Sequence, residues 1–451
     1  MKSRFIIIFI LLASLLRGQP VLDDYVRIGL ENNLALKQKQ SGYQKSLEAI
    51  REARSLFYPN ISFNARYSVA EGGRVFDIPI GDLLNPVYAT LNALLSSSLF
   101  PLIDNQQVKF LRPREHETKI RVIQPLFSPS IYYNSLIMKE LSLAEEADLD
   151  QYKRELVAEI RKAYYNAAMA NSLVRMLKET RKLLVENVRV NRKLVANDKV
   201  TADYLFRSES ELNMFDQELR DAEKDEKIAG AYFNFLLNRP LSDSIILQEP
   251  ASFPALEQVT SGVRENALAN REEIRKLENY ENISDMHLKL QQSGKLPNLI
   301  VVADYGFQGE EYKFNSDNDY MLASAVLSWT LFEGFRNKAR INQALHQKEM
   351  AEQKLEEAKK QIELQITAAL EEISSSEKGI VSAESRLKNA RESFRIVEKK
   401  YGEGQANMIE FIDARANLTQ SEENLIISRF RYLSAFAEFE KAAAINYTGN
   451  K

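Results

Sequence analysis

The residues of this 451-residue chain that could do chemistry are carboxylates, with no nucleophile or metal-ligating set beside them. Cysteine is absent, which removes disulfides, thiolate chemistry, cysteine-based zinc sites and a lipid-carrying cysteine together. His116, His287 and His346 are scattered and lack a second ligand at helical spacing, so no metal site is expected. Phosphate-binding glycine loops, nucleophile elbows and catalytic histidine pairings do not occur. Glu410 and Asp413 stand six and nine positions after Gly404, and Asp203 stands six after Asn197. Taken alone, acids near a turn are a solvated helix face. The chain therefore reads as no enzyme and as needing no cofactor. The 63 acidic and 60 basic residues are interspersed, and a net charge of −3 gives no reason to expect nucleic acid.

These acids belong to a sequence that repeats itself. Tyr58-Pro59-Asn60 is answered by Leu296-Pro297-Asn298 at a separation of 238 (296 − 58), and Gly29-Leu30-Glu31-Asn32 by Ala267-Leu268-Ala269-Asn270 at the same separation (267 − 29). Farther along, Leu126-Phe127 is answered by Leu331-Phe332 at 205 (331 − 126), and Leu212 by Leu418 at 206 (418 − 212). The fall from 238 to 205 places about 33 extra residues in the first copy, between its two β segments. A period of about 200 is too long for a solenoid and indicates internal duplication.

Residues 1–18 read as a secretory signal: Lys2 and Arg4 precede the apolar run Phe5 to Leu16, which is too short to span a bilayer stably. The first repeat is then 19–240, a waist linker 241–256, and the second repeat 257–451. Each copy opens with a helix, over 22–57 and about 257–293. Period-two alternation follows, with Ile61, Phe63, Ala65, Tyr67 and Val69 on one face against Ser62, Asn64 and Arg66 on the other. A partner strand runs from Thr118 to Phe127. The second copy repeats the pattern at Leu299 to Phe307 and Met321 to Leu331. Strands of about 10–12 residues suit a tilted membrane strand, and Tyr305, Phe307, Tyr320 and Trp329 lie toward the ends, where aromatic girdles occur. A half-buried soluble sheet would alternate in the same way. Residues 71–117 read as a long loop holding a short helix within Val87 to Phe100, and Glu310 to Asp319 as its short polar counterpart.

Long rods come next. From Ser130 to Ala196 there is neither proline nor glycine, and steps of seven give Leu149, Leu156, Ala163, Ala170, Leu177 and Leu184. The copy, Asn337 to Tyr401, gives Ile362, Ala369, Ser376, Ala383, Ala390 and Val397. Six successive heptads predict coiled-coil packing, and about 66 residues make a rod of roughly 100 Å. Tight turns at Asn197-Asp198-Lys199 and Gly402-Glu403-Gly404 reverse the chain into return helices, Thr201 to Leu237 and Asn407 to Ala444.

Signal, duplicated order and turn sequences together resemble the TolC-like outer membrane efflux proteins over the whole mature chain. The nearest local match is Tyr401-Gly402-Glu403-Gly404-Gln405-Ala406-Asn407-Met408-Ile409-Glu410-Phe411-Ile412-Asp413-Ala414; in the first copy Asn197 stands for the glycine. The resemblance implies a mainly α fold with membrane β structure: helical hairpins forming an α-barrel, plus four strands per protomer of a trimeric 12-stranded β-barrel. It implies a passive exit duct in the outer membrane, with a periplasmic adaptor and an inner-membrane pump as partners beside outer-membrane lipid. It assigns Glu410, Asp413, Asp203 and Tyr401 to a periplasmic gate, and the turns Asn197, Asp198, Lys199, Gly402, Glu403 and Gly404 to adaptor docking. Ala406 replaces an arginine that some members use to latch the gate. The competing reading is a periplasmic adaptor or scaffold with coiled-coil hairpins.

Overall fold

The computed structural model describes residues 20–248 and 262–445. The signal segment 1–18 and residues 249–256 of the expected linker lie outside the described residues. The described elements are α1 (Pro20–Asn32), α2 (Leu34–Ser55), β1 (Asn60–Val69), β2 (Val75–Ile78), α3 (Ile80–Leu95), β3 (Gln106–Lys109), β4 (Arg114–Phe127), α4 (Pro129–Ala196), α5 (Ala202–Leu236), α6 (Val263–Asn270), α7 (Glu272–Ser293), β5 (Asn298–Gly309), β6 (Asp319–Ser328), α8 (Arg336–Gly402) and α9 (Met408–Ala442). They divide into a helical unit (up to Glu48, Lys139–Asp285 and from His346) and a β unit (Ala49–Met138 and Met286–Leu345).

In the helical unit the heptad seams are buried as expected. Leu149, Leu156, Ala163, Ala170, Leu177 and Leu184 are all in the core, as are Ile362, Ala369, Ser376, Ala383 and Ala390. Small residues alternating with large ones let neighbouring backbones approach closely while side chains still fill the seam. The duplication is visible in the packing. Ile160 and Ile366, 206 apart (366 − 160), are fully buried at the centres of two equivalent clusters, one built on α1, α2, α4 and α5 and the other on α6, α7, α8 and α9.

One expectation needs correcting. Each opening helix is broken, between α1 and α2 at Asn33 and between α6 and α7 at Arg271, again 238 apart (271 − 33). The Asn33 side chain accepts from the Leu36 amide (3.0 Å) and donates to the Leu236 carbonyl (2.9 Å), so it starts α2 as a cap and ties the break to α5. Arg271 is extended (φ −70°, ψ 127°) and donates to the Ala442 carbonyl (3.1 Å), tying the second break to α9. The described part of the linker packs against the first repeat, where the Tyr25 and Tyr164 hydroxyls accept from the amides of Ile246 and Gln248.

The β unit holds an antiparallel sheet in the order β1-β4-β5-β6. Register decides its two faces. Phe63, Ile120, Tyr305 and Met321 pair successively across all four strands, and they are 71, 48, 52 and 77% exposed. The next row, Ile61–Val122–Ala303–Ala323, continues the same apolar face. The opposite face carries the sheet's paired charges, beside the apolar Val302, Leu322 and Val326. Arg121 makes a two-pronged contact with Asp304 (2.8 and 2.7 Å), while Lys119 reaches Glu117 (2.8 Å) and Asp304 (3.4 Å). The Tyr320 hydroxyl donates to Glu117 (2.7 Å). β4 begins earlier than expected, at Arg114, and β6 ends at Ser328, leaving Trp329 and Leu331 beyond the strand.

Gly306 lies hard against β4: a β-carbon there would lie 2.3 Å from the Thr118 carbonyl oxygen and 2.6 Å from the Lys119 α-carbon. Both are backbone atoms and cannot step aside. Gly306→Ala is therefore expected to push β5 off β4 at a cost of about 1–3 kcal/mol, read as lower thermal stability than wild type in detergent. Unchanged stability would show that the two strands do not approach this closely.

The 71–117 segment is more structured than a loop. β2 and β3 pair only with each other, and α3 starts at Ile80, seven residues before the expected helix. The β5–β6 connection is not simply polar either: Tyr312 stacks on His116 (4.2 Å between centroids) and on Tyr67 (5.8 Å). The His116 Nε2 is 2.7 Å from the Glu311 carbonyl.

Candidate functional site

The two hairpin turns share one construction. After α8 the Gln405 amide donates to the Lys400 carbonyl (2.7 Å), and Gly404 takes the left-handed conformation (φ +72°). After α4 the Lys199 amide donates to the Leu194 carbonyl (2.9 Å), and Asp198 takes that conformation (φ +53°). Satisfying the last helical carbonyls this way requires one left-handed residue just past the helix, where glycine is cheapest. The counterpart of Gly404 is thus Asp198, 206 before it (404 − 198), and not Asn197, whose side chain instead caps the Lys193 carbonyl (2.7 Å). The register moves by one, so Asp203 corresponds to Ile409, and Tyr204 to Glu410.

Helix starts follow the same register. Asn407 is the N-cap of α9: its Oδ1 accepts from the Glu410 amide (3.0 Å), and its Nδ2 donates to the Glu410 carboxylate (2.7 Å). An acid in the first turn also meets the positive end of the helix dipole. Glu410 thus has a structural duty, and Asp413 one turn on is exposed. Asp203 accepts from the Thr201 hydroxyl and lies 3.8 Å from Arg207, both on its own hairpin.

Tyr401 does join the two hairpins. Its hydroxyl donates to Asn191 Oδ1 (3.0 Å) on α4, and its ring stacks on Phe411 (4.7 Å, 24° between planes). Burial, the larger influence, raises the Tyr401 pKa above its usual value against the opposing effect of Asn191. Asn191 is fully buried, and its Nδ2 donates to Asn187 (2.9 Å).

Two further layers tie the return helices together, and neither was read from the sequence. Arg415 on α9 is 5% exposed, bonds Glu211 on α5, and lies over the Phe215 ring (5.6 Å). Burial lowers its pKa, while Glu211 and Glu218 act to raise it. Farther up, Glu423 is pushed to about 7 by burial first and then by the neighbouring carboxyl of Glu218. The signal for Arg415 was present. It falls on the stripe of Met408, Phe411 and Thr419, all buried, where a lone charge needs a partner.

The sequence profile of the outer membrane efflux proteins matches residues 263–444. No curated protein matches the sequence significantly. Among solved structures, the outer-membrane channel OprN superposes with a TM-score of 0.77 at 16% identity, over 95% of this chain and 91% of that one. The Campylobacter jejuni CmeC outer membrane channel gives 0.76 at 14% identity, over 95% and 87%. The Neisseria gonorrhoeae MtrE outer membrane channel, in an open state, gives 0.75 at 17%, over 94% and 89%. At such identities the likeness is one of fold, and the fold is TolC-like. The matched span holds Tyr401, Glu410 and Asp413 and leaves out the first copy, whose turn carries Asp198 in the glycine position.

Proposed function

We propose that this chain, an outer membrane efflux protein by its second repeat and TolC-like in fold throughout, is the outer-membrane duct of a three-part export assembly. Three copies supply twelve strands (3 × 4) to one closed barrel. The observation that carries this reading is the bare apolar face of the sheet, Phe63–Ile120–Tyr305–Met321, together with edge strands β1 and β6 that have no partner among the described residues. Hydrocarbon tolerates such a face only if no edge is left open, which a single four-stranded sheet cannot achieve. No described helix is long and apolar enough to cross a membrane.

Cargo passes without chemistry by the duct itself. A periplasmic adaptor docks at Asn197–Lys199 and Gly402–Gly404, and an inner-membrane pump supplies the energy. Tyr401 and Asn191 hold the tip narrow, and Asp203 borders it. Rings of Glu410 and Asp413 carboxylates around the threefold axis attract cations and bind divalent ions when shut.

The protein is expected in outer-membrane fractions as a detergent-requiring, heat-modifiable oligomer that opens cation-preferring pores in planar bilayers. Divalent cations should block those pores. The double variant Glu410→Gln, Asp413→Asn should lose the block, because both charges go while the Asn407–Glu410 cap survives through the amide oxygen. Undiminished block would remove the gate assignment. A soluble periplasmic monomer would instead favour the adaptor reading.

A further inference from the structure

The 71–113 insertion is built inside out. Its polar groups are spent on itself: Asn85 pairs with both the amide and the carbonyl of Ile103 (2.9 and 2.9 Å), and Asn92 does the same with Phe100 (3.0 and 2.7 Å). Asn105 closes the end, bonding the Asp82 amide (3.1 Å) and carboxylate (3.0 Å). Gly81 is the only buried residue of the insertion, pressed so closely on the Ile103 carbonyl that a β-carbon would lie 2.4 Å from it. What faces outward is apolar: Leu83, Val87, Leu94, Leu95, Leu99 and Leu102 are 73, 51, 77, 55, 73 and 69% exposed. No residue from 83 to 103 is charged. This module has hydrogen-bonded order but no core, and a two-stranded ribbon such as β2–β3 is marginal alone.

We infer that the outward face of α3 and of the extended segment that follows it packs against the same insertion of the neighbouring copy, joining the mouths of adjacent protomers. This rests on the trimeric reading above. β1 is an edge strand, so a closed barrel must pair it with β6 of the next copy, and β1 runs straight into the insertion. The chain order therefore hangs the coreless module beside that seam. Uncharged surfaces from identical copies can meet without repulsion, whereas charged ones could not. Acyl chains fit less well. The ribbon has open edges on both sides and carries Arg74, Asp77 and Lys109, and open edges do not occur in hydrocarbon.

The chain has no cysteine, so single variants Leu83→Cys, Leu94→Cys and Leu99→Cys can be treated in native membranes with a short bis-maleimide. At least one is expected to convert most of the chain to covalent oligomers. If none does while unheated gels still show the oligomer, the inference fails and the trimer stands; if the oligomer itself is missing, both fail. A single-tryptophan variant, Trp329→Phe with Leu94→Trp, separates the other occupants in vesicles. Contact with a neighbouring protein surface predicts weak quenching by aqueous iodide and by brominated acyl chains alike. Strong iodide quenching means a bare face, strong bromolipid quenching means lipid, and either overturns the inference.

Discussion

Replacing Glu211 with leucine should weaken the contact between the return helices more than replacing its partner Arg415. The reason is the difference in burial within the pair. The Arg415 side chain is 6% exposed and its Nε has no partner, whereas Glu211 is 23% exposed. Once Glu211 is gone, a guanidinium remains in a site that water barely reaches, with only the Phe215 ring and the more distant Glu218 to offset it. Stranding a buried charge costs about 3 kcal/mol or more. Arg415→Leu loses the cation–ring contact, about 1–2 kcal/mol at a desolvated site, but the freed Glu211 can turn to solvent. Under the proposed duct function both variants should raise basal conductance, because the return helices are tied here as well as at Tyr401–Asn191, with Glu211→Leu unfolding at the lower temperature. Equal destabilisation by the two would show that Arg415 is hydrated in the assembled particle.

How much could be read beforehand follows from which signals are periodic. The rods were legible because each seam residue repeats a message: Leu149 to Leu184 say the same thing every seven positions, and burial agrees. The sheet was legible for the same reason, since one register fixes every side chain's face. Single residues that act through geometry were not. Asn33 and Arg271 break their helices without glycine or proline, one as a cap and the other through a carbonyl on α9. At the first turn the resemblance sets Asn197 against the glycine by the spacing to Asp203, whereas the backbone puts Asp198 in the left-handed position. Of the candidate gate residues, Tyr401 could be expected to bridge hairpins only from the family pattern, and its partner Asn191 carries no local signal. In the insertion the glycines and prolines mark a loop, but Asn85 and Asn92, seven apart on one helix face, order it by substituting for backbone pairing.

Stability of the hairpin pair is expected to fall as pH rises from 4.5 toward 7, the reverse of ordinary acid denaturation. Glu423 is pushed from 4.5 to about 7, by burial first and by Glu218 next, so across that window the folded protein holds a proton that the unfolded chain has released. Where the native state binds the extra proton, stability declines with rising pH. The contribution is therefore whole below 4.5 and gone above about 7, where two carboxylates face each other between the return helices. Nearby charges do not reproduce this trend. Glu422 is 3.4 Å from Arg391, and Arg415 stays cationic throughout. Asp216, held below 3.8 by Arg181, loses its stabilising effect only in stronger acid and with the opposite sign. Glu423→Gln keeps the size and polarity of the side chain beside Glu218 without the titration. Thermal unfolding of the detergent-solubilised particle should then show wild type and variant alike at the acid end and diverging toward neutrality, with glutamine the more stable. If the difference between them is flat with pH, no proton is shared between Glu218 and Glu423, and the upper layer of the hairpin contact is held by packing alone.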